Sequence, residues 1–410
     1  MSRPIKVLHF ADAHIDMVNH GKHDERTRLP IRVMDFLSSL DQIVERAIDE
    51  QVDLVIFAGD AYRNQRPHPK FQRQWEQRIV ALSRAGIPTV LIVGNHDTSP
   101  SVQRAHAMQE FATLNVANVF VADNLQLFSA EKLGIPIQVL ALPWVSRSAL
   151  MARMDLDTSN EELLNTLEGR IERALQQKLE EADPNLPLVL TAHVTVQGAQ
   201  YGSERQVMLG QDVALSVGLV KDPRLDYVAL GHIHKHQEVG AGHPPVVYSG
   251  SIERVDFGEV AETKGFVLAE ISRGHTTWEF VPLKTRRFVD ISVTLETQDL
   301  FMPTIIAEVQ RYEKVIPDAI CRLQLFYPRE WETLVDEAEI GRYFKPALSF
   351  QIAKHRSAES RSRLGDTVAV ESLTPEELLS TFWQTSGLDA EEAGEMQNLA
   401  KEVFGEMMLQ

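Results

Sequence analysis

An α/β fold is predicted by two patterns in the sequence. Short apolar runs stop abruptly at glycine or at a polar, metal-competent side chain, and between them lie stretches whose apolar residues recur at helical spacing. Five of these runs end alike. Residues 7–11 lead into Asp12 and His14, 54–58 into Gly59 and Asp60, 91–93 into Gly94, Asn95, His96 and Asp97, 188–192 into His193, and 227–230 into Gly231, His232, Ile233 and His234. Ligands gather at the carboxyl ends of strands in open α/β sheets, so these distant segments are expected to meet.

The elements follow in order. After the first strand comes a polar loop, 19–28, carrying Arg26 and Arg28, and then a helix in which Phe36, Leu37, Leu40, Ile43, Val44, Ala47 and Ile48 recur with period 3.6. The strand into Asp60 closes a βαβ unit, whose crossover is right-handed by rule. A second helix over 71–85 sets Phe71, Trp75, Ile79 and Leu82 on one face and stops at Gly86-Ile87-Pro88. Residues 116–142 change to short β runs broken at Asp123-Asn124 and Gly134. An amphipathic helix is expected over 160–181, with Leu163, Leu164, Leu167, Ile171, Leu175 and Leu179 turned inward. Strands resume at Pro187, and runs at 246–248, 265–271 and 276–281 complete a second sheet.

Near 283–287 the chain changes character, with Lys284, Arg286 and Arg287 clustered and no histidine motif beyond. The expected organisation is therefore a domain over 1–283, a small α+β domain over 287–363 that runs into a polar linker at 357–366, and a helical segment over 366–410. In that last segment Leu378, Leu379, Phe382 and Trp383 form one apolar stripe and Met396, Leu399, Val403, Phe404, Met407 and Met408 another. Residues 371–410 hold nine acids against Lys401 alone, a balance that repels DNA and suits a protein partner.

Composition narrows the chemistry. A length of 410 residues suggests two or three units, and 24% charged with 44% hydrophobic residues is the balance of a soluble globular protein. No apolar run approaches the roughly 20 residues of a membrane span, and no hydrophobic signal core precedes Asp12, so a cytoplasmic protein without a membrane partner is expected. A single cysteine, Cys321, excludes a disulfide framework and a thiolate zinc site, which leaves oxygen and imidazole to hold any metal. The net charge of −17 argues against attraction of nucleic acid by the whole surface. Arg26, Arg28, Arg63, Arg66, Lys70 and Arg73 are the candidates for a local basic rim that offsets it.

The strand-end side chains Asp12, His14, Asp60, Asn95, His193, His232 and His234 are a ligand set for Mn²⁺, Fe²⁺, Zn²⁺ or Mg²⁺. Seven donors exceed the need of one ion, and two ions sharing a carboxylate is the economical arrangement. Two cations about 3.5–4 Å apart clamp the attacking and leaving oxygens of a phosphoryl transfer. His96 is placed to give a proton or hydrogen bond to the scissile phosphate, with Asp97 as the partner that holds its tautomer. Ser249 and Ser251 lie close in sequence to the histidine pair and read either as a substrate-facing loop or as a strand-edge turn.

Asp12-x-His14, Gly59-Asp60, Gly94-Asn95-His96-Asp97, His193 and Gly231-His232-x-His234, in this order, resemble the calcineurin-like metallophosphoesterase superfamily. The resemblance implies a four-layer α/β/β/α sandwich and a two-metal phosphoester hydrolase. Asp12, His14, Asp60 and His234 would hold one ion, Asp60, Asn95, His193 and His232 the other, and His96 would be the acid. The openings 9–14 and 93–97, the stretch 248–259 and the appended segments are similar to the SbcD family of bacterial exonuclease subunits. That likeness implies manganese-dependent 3′-to-5′ exonuclease action on duplex DNA and endonuclease action on single strands. It also implies a capping role for the second domain, a homodimer of nuclease subunits, and docking of the C-terminal helices on an SbcC-like coiled-coil ABC-type ATPase. The sequence departs from related repair nucleases in having Ala61-Tyr62-Arg63-Asn64, without a histidine, after Gly59-Asp60, and Asp-Ala-His for Asp-Trp-His. Two other readings share the ligand set: a small-substrate phosphatase or cyclic-nucleotide phosphodiesterase, and a non-catalytic DNA-end scaffold for an ATPase partner.

Overall fold

Strands whose two faces are both covered need apolar side chains on both, and this explains the near-continuous hydrophobic runs read above. The computed structural model describes residues 3–20, 22–98, 108–145, 160–202 and 214–357, together with Trp383, Gly394 and Met396. Its strands are β1 (Ile5–Phe10), β2 (Leu54–Phe57), β3 (Thr89–Ile92), β4 (Val119–Ala122), β5 (Gln126–Phe128), β6 (Gln138–Leu142), β7 (Leu188–His193), β8 (Thr195–Val196), β9 (Ala214–Leu215), β10 (Tyr227–Gly231), β11 (Gln237–Glu238), β12 (Val246–Tyr248), β13 (Gly265–Ser272) and β14 (His275–Pro282). Two six-stranded sheets result, ordered β14-β13-β1-β2-β3-β4 and β11-β12-β10-β7-β6-β5, with β8 and β9 paired separately. In the first, β1 to β4 run parallel and β13 lies antiparallel to β1. In the second, β6, β7, β10 and β12 run parallel.

Alternation along the strands sorts the side chains into layers. Ile5, Val7, Leu54, Ile56, Val90 and Ile92 of the first sheet meet Val139, Val189, Tyr227, Ala229 and Val247 of the second in one buried cluster. Their neighbours Leu8, Phe10, Val55, Phe57 and Leu91 face the other way, against helices α1 (Ile31–Asp49) and α2 (Pro69–Arg84). Ile171, Leu175 and Leu179 of the helix Asn160–Glu180 cover the second sheet. Helix, sheet, sheet, helix is the predicted four-layer order.

Two polar groups tie the sheets across this apolar interior. His9 is buried with Nδ1 3.1 Å from the Tyr227 hydroxyl and Nε2 3.2 Å from the Leu230 carbonyl, and burial pushes its pKa down to about 3, so the ring is neutral. Asp226 accepts from the Leu188 amide at 2.8 Å, and from the Arg273 guanidinium at 2.9 Å and the Gly274 amide at 2.6 Å in the β13–β14 hairpin.

The chain divides into two compact units: residues 1–289 with 315–320 and 347–349, and the remainder from 290. The division is less simple than a single cut near 283–287. Ile320 and Leu348 return to the first unit because they bury, with Phe288, against Phe257. The second unit carries a three-stranded sheet, β15 (Phe288–Thr294), β16 (Ile320–Pro328) and β17 (Ser349–Ser357) in that order, with helices Phe301–Gln310 and Glu337–Tyr343. Ile291, Val293, Phe301, Ile305, Val309, Leu323 and Leu325 are buried there, and Arg322 makes two bonds to Asp290, at 2.9 and 2.6 Å. The expected linker beyond residue 357 and the helical segment 366–410 lie outside the described residues, save Trp383, Gly394 and Met396.

Candidate metal centre

Parallel strands of both sheets deliver their carboxyl ends to one place, where the backbone turns too sharply for ordinary conformations. Asp12, His14, Asp60 and His232 all have positive φ, at 50°, 38°, 63° and 95°. Left-handed conformations at non-glycine residues cost about 1 kcal/mol or more each and persist where surrounding structure enforces them. Here the enforcement is a set of main-chain bonds between strand ends: Asp12 N–H to the Gly59 carbonyl at 2.9 Å, and Ala13 and His14 N–H to the Asp60 carbonyl at 2.8 and 3.2 Å. The glycines are spatial necessities. A Cβ on Gly59, itself at φ +96°, would stand 2.3 Å from His193 Nδ1, and one on Gly94 would stand 2.0 Å from Asp60 Oδ1.

The donor atoms converge. Asp12, His14 and His234 place one ligand atom each within 4.8 Å of one another, and Asp12, Asp60 and His193 do the same. His193 Nε2 lies 2.9 Å from Asn95 Oδ1 and 3.4 Å from Asp60 Oδ2, and His232 Nδ1 lies 3.0 Å from the same Asn95 oxygen. His14 Nε2 stands 3.9 Å from Asp60 Oδ2.

The tautomers show what the cluster is suited to hold. His14 Nδ1 faces the Tyr62 carbonyl at 3.4 Å and His234 Nδ1 faces the Glu259 carboxylate at 2.8 Å, so each of these nitrogens carries the proton. The Nε2 atoms of the two rings point at each other 3.1 Å apart. Two nitrogens bound to one cation at about 2.1 Å, at right angles, would stand about 3 Å apart, and the pair fits that role.

Electrostatics point the same way. Burial pushes Asp12 up to about 6. Burial would raise Asp60 too, but His193, His96 and His14 outweigh it and hold that carboxyl well below the usual range. His193 is pushed up to about 9, Asp60 and Asp12 overcoming the burial that disfavours its charge. His14 is kept neutral, well below its ordinary value, chiefly by burial. Two buried carboxylates among convergent imidazole nitrogens form a site that calls for positive charge, which a proton on His193 supplies in part.

Residues 5–236, more than half of the chain, match the family of calcineurin-like phosphoesterases. The chain belongs to that family. Among solved structures, a dimetal phosphatase from Danio rerio is similar at 10% identity, covering 68% of this chain and 96% of its own, with a TM-score of 0.40. A cold-active protein tyrosine phosphatase is similar at 15% identity over 67% and 80% of the two chains, with a TM-score of 0.27. Another, from a psychrophilic Shewanella species, is similar at 14% identity over 67% and 80%, with a TM-score of 0.25. At these scores the likenesses carry no argument. Membership itself implies a metal-dependent phosphoester hydrolase, and the candidate ligand groups agree with a dimetal centre.

Within this calcineurin-like centre the remaining expected residues fall in different places. His96 sits at the rim, its ring edge-on to His14 with centroids 5.2 Å apart, its amide donating to Asp60 Oδ1 at 2.9 Å. Its Nδ1 pairs with the Arg63 carbonyl at 2.9 Å, in place of the expected Asp97. Asp97 turns inward and accepts from the amides of Asp60 at 2.9 Å, Ala61 at 3.0 Å, Tyr62 at 3.2 Å and Gly94 at 3.0 Å, so it shapes the turn that carries Asp60. Ser249 and Ser251 do not face outward. Both are fully buried, their hydroxyls donating to the Gly250 and Glu253 carbonyls, while the Ser251 amide donates to the His234 carbonyl at 3.0 Å. Arg63 and Arg66 are exposed, and Arg63 N–H is anchored by Asp16 at 2.5 Å.

Sequence reading missed Glu259, Lys264, Asp16 and Trp144. Trp144, half-buried, lies with its ring centroid 4.9 Å from that of His232 and 6.3 Å from that of His193. A tryptophan directly after the strand ending Leu142-Pro143 was the available signal for it. Glu259 closes the stretch 248–259 that carries the narrower likeness, but nothing local pairs it with His234, and Lys264, just before a strand, gave no signal.

Proposed function

We propose that this protein is a two-metal phosphodiesterase acting on DNA, with 3′-to-5′ exonuclease and single-strand endonuclease action, as the nuclease subunit of an SbcCD-like complex. The observation that carries the hydrolase part of the reading is the convergence of His14 Nε2 and His234 Nε2, 3.1 Å apart, beside Asp12. Asp12, His14, Asp60 and His234 would hold one cation and Asp60, Asn95, His193 and His232 the other, with manganese expected. Such cations supply Lewis-acid stabilisation of the charge that develops on a phosphoester. His96 donates Nδ1–H to the Arg63 carbonyl, so a second proton on the ring sits on Nε2, and that is the proton the ring would give to the departing oxygen, ending as the neutral Nδ1–H tautomer. Asp97 and the main-chain bonds hold Asp60 in register with that ring.

The DNA part rests on the resemblance and on the loops beside His96. Lys70 Nζ donates to the carbonyls of Thr27 at 3.3 Å and Arg28 at 3.0 Å, tying the loop of Arg26 and Arg28 to the first turn of α2, which follows the loop of Arg63 and Arg66. All four arginines are exposed, and clustered cations position a phosphate backbone. The net charge of −17 favours the competing small-substrate reading. Within the proposal, residues 287–363 present DNA, 366–410 dock on a coiled-coil ABC-type ATPase, the nuclease subunit dimerises, and the complex works in the cytoplasm. Among the described residues no helix is long and apolar enough to cross a membrane.

The test is purified protein with Mn²⁺ on end-labelled duplex and single-stranded DNA, beside a nitrophenyl phosphodiester, with Asp60→Ala as control. DNA degradation lost in the control supports the nuclease. Turnover of the small ester with intact DNA selects the phosphodiesterase reading, and tight metal binding with neither activity selects the scaffold.

A further inference from the structure

The histidines that face the two cation positions are backed differently. His193 Nδ1 meets a main-chain carbonyl, that of Ala58, at 2.7 Å, and His14 Nδ1 meets that of Tyr62 at 3.4 Å. His234 Nδ1 instead meets the carboxylate of Glu259 at 2.8 Å. Glu259 is fully buried, and its second oxygen takes Lys264 Nζ at 2.9 Å and the Val255 amide at 2.8 Å. Lys264, equally buried, also donates to the His234 carbonyl at 3.1 Å and to Glu262 at 2.6 Å. One lysine thus neutralises the carboxylate behind the ring and grips the backbone of the same histidine.

A buried ion pair adds little stability over apolar side chains of equal volume, because desolvation offsets the attraction. Stability alone does not account for a fully buried Glu–Lys pair placed directly behind an imidazole. A carboxylate on the far nitrogen of a metal-binding histidine fixes its tautomer and raises the basicity of the nitrogen that binds. We propose that Glu259 and Lys264 are positioning residues that orient His234 and set the affinity of the cation it holds, independently of the cation held by His193 and His232. This rests on the two-metal reading above and adds an asymmetry to it: His14 and His193 are backed by main-chain carbonyls and His234 by a carboxylate, so the ion that His234 holds is the one that depends on the pair.

The experiment is calorimetric titration of metal-free full-length protein with Mn²⁺. Wild type is expected to bind two ions, and Glu259→Gln, nearly isosteric, to weaken one step by about 10- to 100-fold while the other stays within about threefold. In a His193→Ala background Glu259→Gln weakens the remaining step by the same factor; in a His14→Ala background it changes nothing. The melting temperature of metal-free Glu259→Gln stays near that of wild type. Unchanged binding, or both steps weakened together with a lower melting temperature, overturns the proposal. Lys264→Gln removes a positive charge, which alone would tighten cation binding, together with the anchor of Glu259 and of the His234 carbonyl; weakening of the same step supports its positioning role, and tighter binding removes Lys264 from the proposal. If Glu259→Gln does not fold, Glu259→Asp, which keeps the charge but shortens the reach to His234, decides by weakening the same step or leaving it unchanged. Wild type that binds no Mn²⁺ would instead bring down the two-metal reading, a result distinct from two intact steps that ignore Glu259.

Discussion

The two sheets contribute unlike halves to one site. The first ends its strands β1, β2 and β3 in Asp12, Asp60 and Asn95, oxygen donors, accompanied by His14 and His96. The second ends β7 and β10 in His193, His232 and His234, imidazoles alone. The halves are complementary, since the two buried carboxylates of the first need positive charge and the imidazoles of the second can carry or bind it. Stacking sets Asp60 3.4 Å from His193, and each group answers the other's need. Charge complementarity at the site is therefore a product of sheet-on-sheet packing, and the apolar layer of Ile56, Val189 and Ala229 aligns it.

The largest break in this comparison is removal of the carboxylate that touches both halves. Asp60→Ala should lower kcat for phosphoester hydrolysis by about 10³-fold or more, equivalent to roughly 4 kcal/mol, in a steady-state assay with Mn²⁺. His96→Ala leaves the donors of both halves intact, so Mn²⁺ binding should persist while kcat falls by roughly 10²-fold or more; loss of binding as well would assign His96 to the metal. Gly94→Ala acts by displacement, because the new Cβ meets Asp60 Oδ1 at 2.0 Å and its amide nitrogen at 2.5 Å. A shift of about 1 Å at the shared carboxylate should cost about 10²-fold in kcat, and unimpaired turnover would show that Asp60 tolerates movement.

The smallest effect is graded, and it sharpens the electrostatic side of the comparison. In the metal-free protein His193 is pushed from the ordinary 6.5 up to about 9, so a cation must displace its proton throughout that window. Mn²⁺ affinity at that position should rise about tenfold per pH unit and level off above about 9, measured by titration at successive pH values. The fold responds in the opposite sense. A raised pKa stabilises the metal-free protein fully below 6.5, and that stability is lost as pH rises through about 9, so its melting temperature should fall where affinity climbs.

Much of the fold and site was legible because both are written locally. The apolar run before Asp12 and that before His193 announce strands covered on both faces, and the polar residue after each announces a carboxyl end. The α1 stripe from Phe36 to Ala47 buries as its spacing predicts. What failed was inference from adjacency or polarity. Asp97 follows His96, but the turn sends its carboxylate back to the amides of Asp60, Ala61 and Tyr62. Ser249 and Ser251 look like surface residues, yet the packing around His234 encloses them. His9 gives no sign in the strand that Tyr227, far away in sequence, will meet it.

The sequence by itself determined which elements form and which side chains stand at their ends, since periodicity and turn chemistry act over a few residues. Tertiary structure alone decided which donors face each other, which proton each ring keeps, and that Glu259 and Lys264 stand behind His234. Those outcomes depend on how two sheets and the loops between their strands pack, and the contacts join residues from 25 positions apart, as His234 and Glu259, to 220, as His14 and His234, where no rule of a few residues reaches.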